Sequence, residues 1–345
     1  MSDLPKRLLV TGGAGFIGST FVRRVLASHA DVSVTVLDKL TYAGNLANLA
    51  EVTDHPRFRF VRGDICDPAV VEPLAANTDA IVNFAAETHV DRSITDPSAF
   101  IDTDVHGTYV LLEAARRHAH ARYLQISTDE VYGHVAEGSS GEDDPLRPRS
   151  PYAATKAAAD LLVQAYHVTH GLPAITTRSS NNFGPHQYPE KIIPLFVTNA
   201  IDGEPLPLYG DGLQIRDWLY VEDHCDALEI VLAQGTPGEV YNIGGGTSLT
   251  NLELTQRILD LMGAPTSLVR HVPDRPGHDR RYAVDCAKLS ALGWEPRHGF
   301  DEALAATVAW YQAREDWWRP LKSGEYLAYY RHQYGDRLAA GIAAE

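Results

Sequence analysis

Six short apolar or β-branched runs punctuate the first half of the chain: "RLLVTG", "SVTVLD", "FRFVRGD", "AIVNFAA", "YLQIST" and "AITTRSS". Helical patterns lie between them. This alternation predicts parallel strands joined by right-handed helical crossovers, hence a doubly wound parallel sheet of the α/β class. After Gly184 the pattern loosens into "PHQYPEKIIPLF" and "DGEPLPLYGDGLQIRDW", rich in Pro and Gly, before one more strand-like run, "EVYNIGGG". We expect a second, smaller, interleaved α/β domain. The approximate division gives residues 1–183 and 217–246 to the first domain, and 184–216 and 247–345 to the second. The final stretch, "FDEALAATVAWYQAREDWW", reads as a helical cover for that second domain, with its aromatics in the core. No repeat or low-complexity segment appears.

Composition narrows the partners. Of 345 residues, 44% are hydrophobic and 22% charged, enough apolar material for one large or two ordinary domains. The net charge is -15, and no Lys/Arg-rich run stands out, so nucleic acid and anionic membrane are disfavoured as partners. An anionic ligand would need a locally basic pocket. Cys66, Cys225 and Cys286 show neither paired nor metal-ligand spacing and read as reduced structural thiols in a cytoplasm, with no metal site expected. The start "MSDLPKRLLVTGG" runs directly into a strand without the apolar region of a signal peptide, and no run reaches membrane-spanning length.

The first candidate chemistry follows the first strand. "LLVTGGAGFIGS" spaces Gly12, Gly15 and Gly18 as GxxGxxG, where glycine permits a tight turn and lets backbone N–H groups approach a pyrophosphate at a helix N-terminus. The next strand ends in Asp38, 20 residues past Gly18, where a ribose-binding carboxylate belongs. A carboxylate there accepts from a free 2'-OH and repels a 2'-phosphate, which favours NAD over NADP; Lys39 beside it pulls the other way. Together these features make the sheet Rossmann-like.

Two further patterns suggest acid–base work. "RSPYAATKAAADLL" offers Ser150 as an N-cap, Pro151 in the first turn, and Tyr152 and Lys156 four apart on one helical face. A cation beside a phenol is expected to lower its pKa, so that Tyr152 can act as a base near neutrality. "LQISTDEVYG" places Thr128, Asp129 and Glu130 where a buried strand ends, at the edge where open α/β sheets bind ligands. By themselves, YxxxK is common in helices and paired acids are favoured at helix N-termini anyway.

The glycine loop with YxxxK resembles the extended short-chain dehydrogenase/reductase family. The strings "LDKLTYAGN", "AAETHVDRSI", "STDEVYG", "SPYAATKA", "SNNFGPHQYPEKIIPLF", "YGDGLQIRDWLYVEDHC" and "DRPGHDRRYAVD" are similar to its nucleotide-sugar branch, the dTDP-glucose 4,6-dehydratases, over nearly the whole chain. The resemblance implies a lyase that oxidises C4 of a hexose, eliminates water across C5 and C6, and returns hydride to C6. Tyr152, with Thr128, would act at O4, Glu130 would take the C5 proton, and Asp129, kept protonated, would release the C6 hydroxyl. For NAD it implies Gly12, Gly15, Phe16, Ile17, Gly18, Asp38, Lys39, Thr41, Asp64, Ile65, Ala85, Ala86, Thr103, Asn182, Tyr152 and Lys156. For the sugar nucleotide it implies Thr88, Thr128, Asn181, Glu190, Lys191, Arg216, Asn251, Asp274, Arg275 and His278, with Pro207, Leu208 and Tyr209 along the base. Asp104 stands where the family usually has Asn, which puts a local strand-end hydrogen bond in question.

The resemblance also implies a homodimer through two helices per subunit, drawn from "DVHGTYVLLEAARRHA" and "YAATKAAADLLVQAYHVTHG". Three alternatives stay open at this level: another nucleoside-diphosphate hexose, C4 epimerisation, or a catalytically silent NAD-binding scaffold. The epimerising relatives carry small or apolar residues in place of the acid pair. Nothing in the residues themselves reads the base.

Overall fold

The computed structural model describes residues 4–340. Its strands are β1 Arg7–Thr11, β2 Ser33–Asp38, β3 Phe58–Arg62, β4 Ala80–Asn83, β5 Arg122–Thr128, β6 Ala174–Ser179, β7 Asn181–Phe183, β8 Leu206–Tyr209, β9 Ile215–Tyr220, β10 Val240–Ile243, β11 Ser248–Thr250 and β12 Val269–Val272. Seven of these form one sheet in the order β10-β6-β5-β4-β1-β2-β3. Every pairing in it is parallel. The doubly wound sheet is therefore present.

The strands are apolar on both faces because both faces are covered. Along β1, Leu8 and Val10 enter one core with Phe21, Val34 and Leu124, whereas Leu9 enters the opposite core with Ile81, Leu111 and Tyr123. Parallel sheets need such cover, since each crossover lays a helix against a face. The helix Val221–Gln234 and β10 add to this body: Leu228, Val231 and Ile243 join the core around Phe21. The strand order reverses between β1 and β4, which opens a crevice at the carboxyl edge.

A second core gathers Phe183, Phe196, Leu208, Trp218, Leu254, Leu304, Tyr311 and Trp318. Around it lie the small sheets β11-β9-β7 and β12-β8 and the helices Ile192–Asp202, Asn251–Met262 and Phe300–Ala313. Beyond residue 184 the sequence pattern predicts one strand, now β10. The structure adds β8, β9, β11 and β12, which hold only three to six residues each; Pro207 lies within β8 and Gly210 and Gly212 in the turn leading to β9, and runs this short lack a readable period. The aromatics of the final stretch are core, as expected, with Trp317 donating its indole N–H to Asn48 across the two bodies at 2.9 Å.

Candidate active site

The turn after β1 is shaped by contact. Gly12 has φ +66°, and a Cβ there would lie 2.6 Å from the Ala85 nitrogen; one on Gly18 would lie 2.4 Å from the Gly12 carbonyl oxygen. Only glycine fits, so backbone replaces side chain at the mouth of the crevice. Asp38 is held ready by its own turn, accepting from the Ala14 N–H at 2.9 Å and the Leu40 N–H at 2.8 Å. Burial nevertheless raises its pKa. The ammonium of Lys39 pairs with Asp64 at 2.7 Å, which reduces the positive charge it offers to a 2'-phosphate.

A cavity of about 290 Å³ runs from this loop to the end of β5. Every residue expected at the cofactor lines it, together with Thr88, Thr128, Asp129, Glu130, Asn181, Glu190 and Lys191. The volume approaches the range of small-molecule sites. A cradle of glycines, an oriented carboxylate and a long crevice fit NAD, whose pyrophosphate Gly12, Gly15 and Gly18 would hold and whose ribose Asp38 would hold.

The strand β5 stops at Thr128, whose hydroxyl accepts the Glu130 N–H at 3.2 Å and so starts a 3₁₀ turn, Asp129–Tyr132. That turn separates the two acids. Asp129 is buried, whereas Glu130 is part-exposed in the cavity wall. Burial, with the neighbouring Glu130 and Asp217 carboxylates, pushes Asp129 well above the usual carboxylate range. The Asp129 Oδ2 atom is buried without a hydrogen-bond partner among the described residues, as is Asn181 Oδ1.

Tyr152 and Lys156 sit in the helix Pro151–His170, capped by the Ser150 side chain with Pro151 in its first turn. One expectation is corrected here. Burial and the Glu130 and Asp104 carboxylates push the Tyr152 phenol well above its ordinary value, opposed by the Thr128 hydroxyl. The net shift is upward despite Lys156 on the same helix, whose ammonium donates to the Ile126 carbonyl at 2.7 Å. Asp104 is corrected too: it lies inside the helical segment Ile101–Gly107 and not at a strand end, and it accepts from the Glu87 N–H at 3.0 Å and the Thr155 hydroxyl at 2.9 Å. Burial pushes this carboxylate up to about 6.

The remaining sugar-nucleotide candidates form a polar cluster outside that cavity. Arg216 is buried, bonds the Ile215 and Asp279 carbonyls, and stacks 4.3 Å from the Tyr282 ring. Arg275 pairs with Asp91 at 3.4 Å, and its Nε is buried without a partner among the described residues. His278 bonds Asp274 at 2.6 Å. Arg275 and Arg216 both depress the His278 imidazole, after burial, and Glu130 acts on Arg216, Arg275 and Lys191. A group of cations thus gathers near the acid pair. Asn251 opens the helix Asn251–Met262, its N–H donating to the Gln214 carbonyl at 3.0 Å. Pro207 and Leu208 are buried, Leu208 in the second core, leaving Tyr209 as the open member of that trio. Glu190 is held by Arg92 at 3.2 Å.

The sequence reading misses Glu87 and Arg92. Glu87 lines the cavity and is pushed up to about 7 by burial and then by Asp104. Arg92 is sandwiched between the Tyr42 and Tyr329 rings, at 3.8 and 4.3 Å. No local spacing announces either, since their partners lie far away in sequence.

The family model described as GDP-mannose 4,6 dehydratase matches residues 9–307. The chain is 57% identical over 322 residues to the dTDP-glucose 4,6-dehydratase of Streptomyces niveus, covering 92% of this chain and 96% of that protein. It superposes with a TM-score of 0.90, at 55% identity, on the crystal structure of DesIV (dTDP-glucose 4,6-dehydratase) from Streptomyces venezuelae with NAD and TYD bound, covering 92% of this chain and 100% of that one. The UDP-glucose 4-epimerase of Thermus thermophilus, in complex with NAD, matches at a TM-score of 0.83 and 33% identity, covering 89% of this chain and 99% of that one.

Proposed function

This chain belongs to the GDP-mannose 4,6 dehydratase family, and from that premise we propose that it binds NAD and converts dTDP-glucose into dTDP-4-keto-6-deoxyglucose, as a hydro-lyase of deoxysugar biosynthesis. One observation carries the choice of dehydration over epimerisation. An epimerase needs only oxidation and re-reduction at C4, whereas elimination needs an acid and a base at adjacent carbons. Asp129, held protonated, and Glu130 supply both on one turn.

The geometry supports the following roles. When bound, NAD takes the C4 hydrogen as hydride and later returns it to C6. Tyr152, beside Thr128, removes the O4 proton. Lys156 orients the ribose end of the site. With C4 a ketone, the C5 proton becomes acidic and Glu130 removes it. Asp129 gives its proton to the departing C6 hydroxyl, so the elements of water leave together. A proton then returns to C5. Lys191, Arg216 and Arg275 offset the diphosphate charge in a chain whose net charge is -15, and His278, its imidazole kept neutral by burial and those arginines, serves as a hydrogen-bonding group beside them.

The protein is read as a cytoplasmic homodimer. Among the described residues no helix is long and apolar enough to cross a membrane. The helices Thr108–Arg117 and Pro151–His170 bury Leu111 and Val163 against the sheet, yet expose Tyr109, Leu161 and Val168 on their outer sides. Those outer sides are the proposed contact, which a solution mass at micromolar concentration tests.

The function is tested by incubating the purified protein with dTDP-glucose and no added NAD, then measuring the ultraviolet absorbance of a 4-keto-6-deoxy sugar in alkali. Product should form with the cofactor already bound. Conversion to dTDP-galactose without that absorbance would establish epimerisation instead, and no conversion at all would leave a scaffold.

A further inference from the structure

The helix Glu325–Ala340 lies beyond the residues 9–307 that the family model matches, and it packs onto the rim of the site. Tyr326 donates its hydroxyl to the Pro189 carbonyl at 3.2 Å, next to Glu190. The Tyr329 hydroxyl lies 3.3 Å from His89 Nδ1. Gln333 donates to the Tyr209 hydroxyl at 2.6 Å, and that hydroxyl donates to Asp91 at 2.9 Å, the carboxylate that also holds Arg275. The helix is therefore tied to the cation cluster through one continuous polar chain.

Its last contact is the unusual one. The Arg337 guanidinium stands 5.4 Å from the centre of the Tyr209 ring, and its Nη1 is buried with no hydrogen-bond partner among the described residues. A guanidinium N–H withdrawn from water and left unpaired is unfavourable, so its position calls for an acceptor that the described residues do not provide. The order of groups indicates which acceptor. The acid pair fixes where the hexose lies, the cations near Glu130 fix the diphosphate, and Tyr209, whose ring is 6.1 Å from that of His278, is the next group outward. A nucleoside extending outward from that diphosphate would meet Tyr209, with the Arg337 guanidinium beside its ring.

We infer that Arg337 is a substrate-binding residue that donates to the nucleoside end of the sugar nucleotide, with the helix Glu325–Ala340 forming the outer wall of the site. A planar guanidinium beside an aromatic ring suits a pyrimidine: the ring offers a stacking face and the guanidinium donates to a base carbonyl. The inference rests on the reading of the chain as a sugar-nucleotide dehydratase and names a specificity residue for it.

The test uses the full-length, NAD-loaded protein and dTDP as the probe. Arg337→Ala and Arg337→Met should each weaken dTDP binding roughly tenfold, the loss of one charge-assisted hydrogen bond. They should raise KM for dTDP-glucose by the same factor and leave kcat unchanged. Arg337→Lys should restore part of the affinity. Arg331→Ala, on the exposed side of the same helix, should match the wild type. Met keeps the aliphatic stem against Tyr209 but has no donor, so a Met variant that binds dTDP like the wild type would overturn the inference, as would an Ala variant with unchanged KM. A wild type that neither binds dTDP nor makes product would instead overturn the functional reading.

Discussion

Lys156 donates from its ammonium to the carbonyl of Ile126 across 2.7 Å, and so anchors the helix that carries Tyr152 to the strand that leads into the acid pair. The cation fixes position, while burial and the Glu130 and Asp104 carboxylates keep the phenol protonated in the free chain. Loss of that proton is therefore tied to binding. Tyr152→Phe should lower product formation by about 10²–10⁴-fold, the usual contribution of a positioned base. In single-turnover measurements it should give no NADH absorbance band; a band at the wild-type rate would remove Tyr152 from the oxidation step.

Gly12→Ala should cost the protein its cofactor. The φ of +66° is strained for alanine, and the added Cβ would meet the Ala85 nitrogen at 2.6 Å, so the turn must open. The expected loss is about 1 kcal/mol or more in stability, with NAD absent from the purified protein. Both are checked by thermal unfolding and by quantifying NAD released on denaturation. Full NAD occupancy in the variant would show that the close approach is dispensable.

What can be read in the sequence is what one element states alone. The glycine spacing, the β2-terminal position of Asp38, the capped helix with Tyr152 and Lys156, and the Thr128-Asp129-Glu130 turn are each announced by residues close together in sequence, although the contact of Gly12 with Ala85 and the bond of Asp38 to Ala14 are not. Groups defined by distant partners are not legible. Glu87 gains its raised pKa from burial and Asp104, Lys39 is partly neutralised by Asp64, and Arg337 meets Tyr209 across 128 positions of sequence (337 minus 209). The sequence misleads on the pKa of Tyr152 for the same reason, since burial and the Glu130 and Asp104 carboxylates raise the phenol and neither effect is visible in the YxxxK spacing. The strands β8, β9, β11 and β12 are hidden because runs of three to six residues carry no measurable period.

The acid pair should fail one step later than Tyr152. Asp129→Asn and Glu130→Gln leave the phenol in place, so both should oxidise C4 and then stall, losing about 10²–10⁴-fold in product formation. Glu130→Gln should also slow exchange of the C5 proton with deuterated solvent, whereas Asp129→Asn should preserve that exchange better. Rapid-quench analysis and mass spectrometry separate the two. A Glu130→Gln protein that forms product at the wild-type rate would overturn the assignment of the base.

Asp104 makes a pH-dependent prediction whose sign follows from its burial. Its folded-state pKa is raised from the ordinary 3.8 to about 6, so between those values the folded chain binds the proton more tightly than the unfolded chain does. The stability it contributes is fully present below about 3.8 and is lost as pH rises through about 6. At neutral pH the ionised group is a burden, partly relieved by Lys156, the Thr155 hydroxyl and the Glu87 N–H. Asp104→Asn cannot ionise. Its stability relative to the wild type should therefore increase by up to about 3 kcal/mol from pH 4 to pH 7, at roughly 1.4 kcal/mol for each tenfold difference in proton affinity between the folded and unfolded chain. The lost bond to Thr155 or Glu87 offsets this by a constant amount at every pH. The same substitution removes a negative charge that raises the Tyr152 phenol, so the rise of kcat with pH that reports its deprotonation should move to lower pH. Denaturant unfolding across that pH range checks the first effect and a pH–rate profile the second. Parallel stability curves for the two proteins would mean that Asp104 does not change its ionisation in the folded state, and an unmoved rate profile would separate it electrostatically from Tyr152.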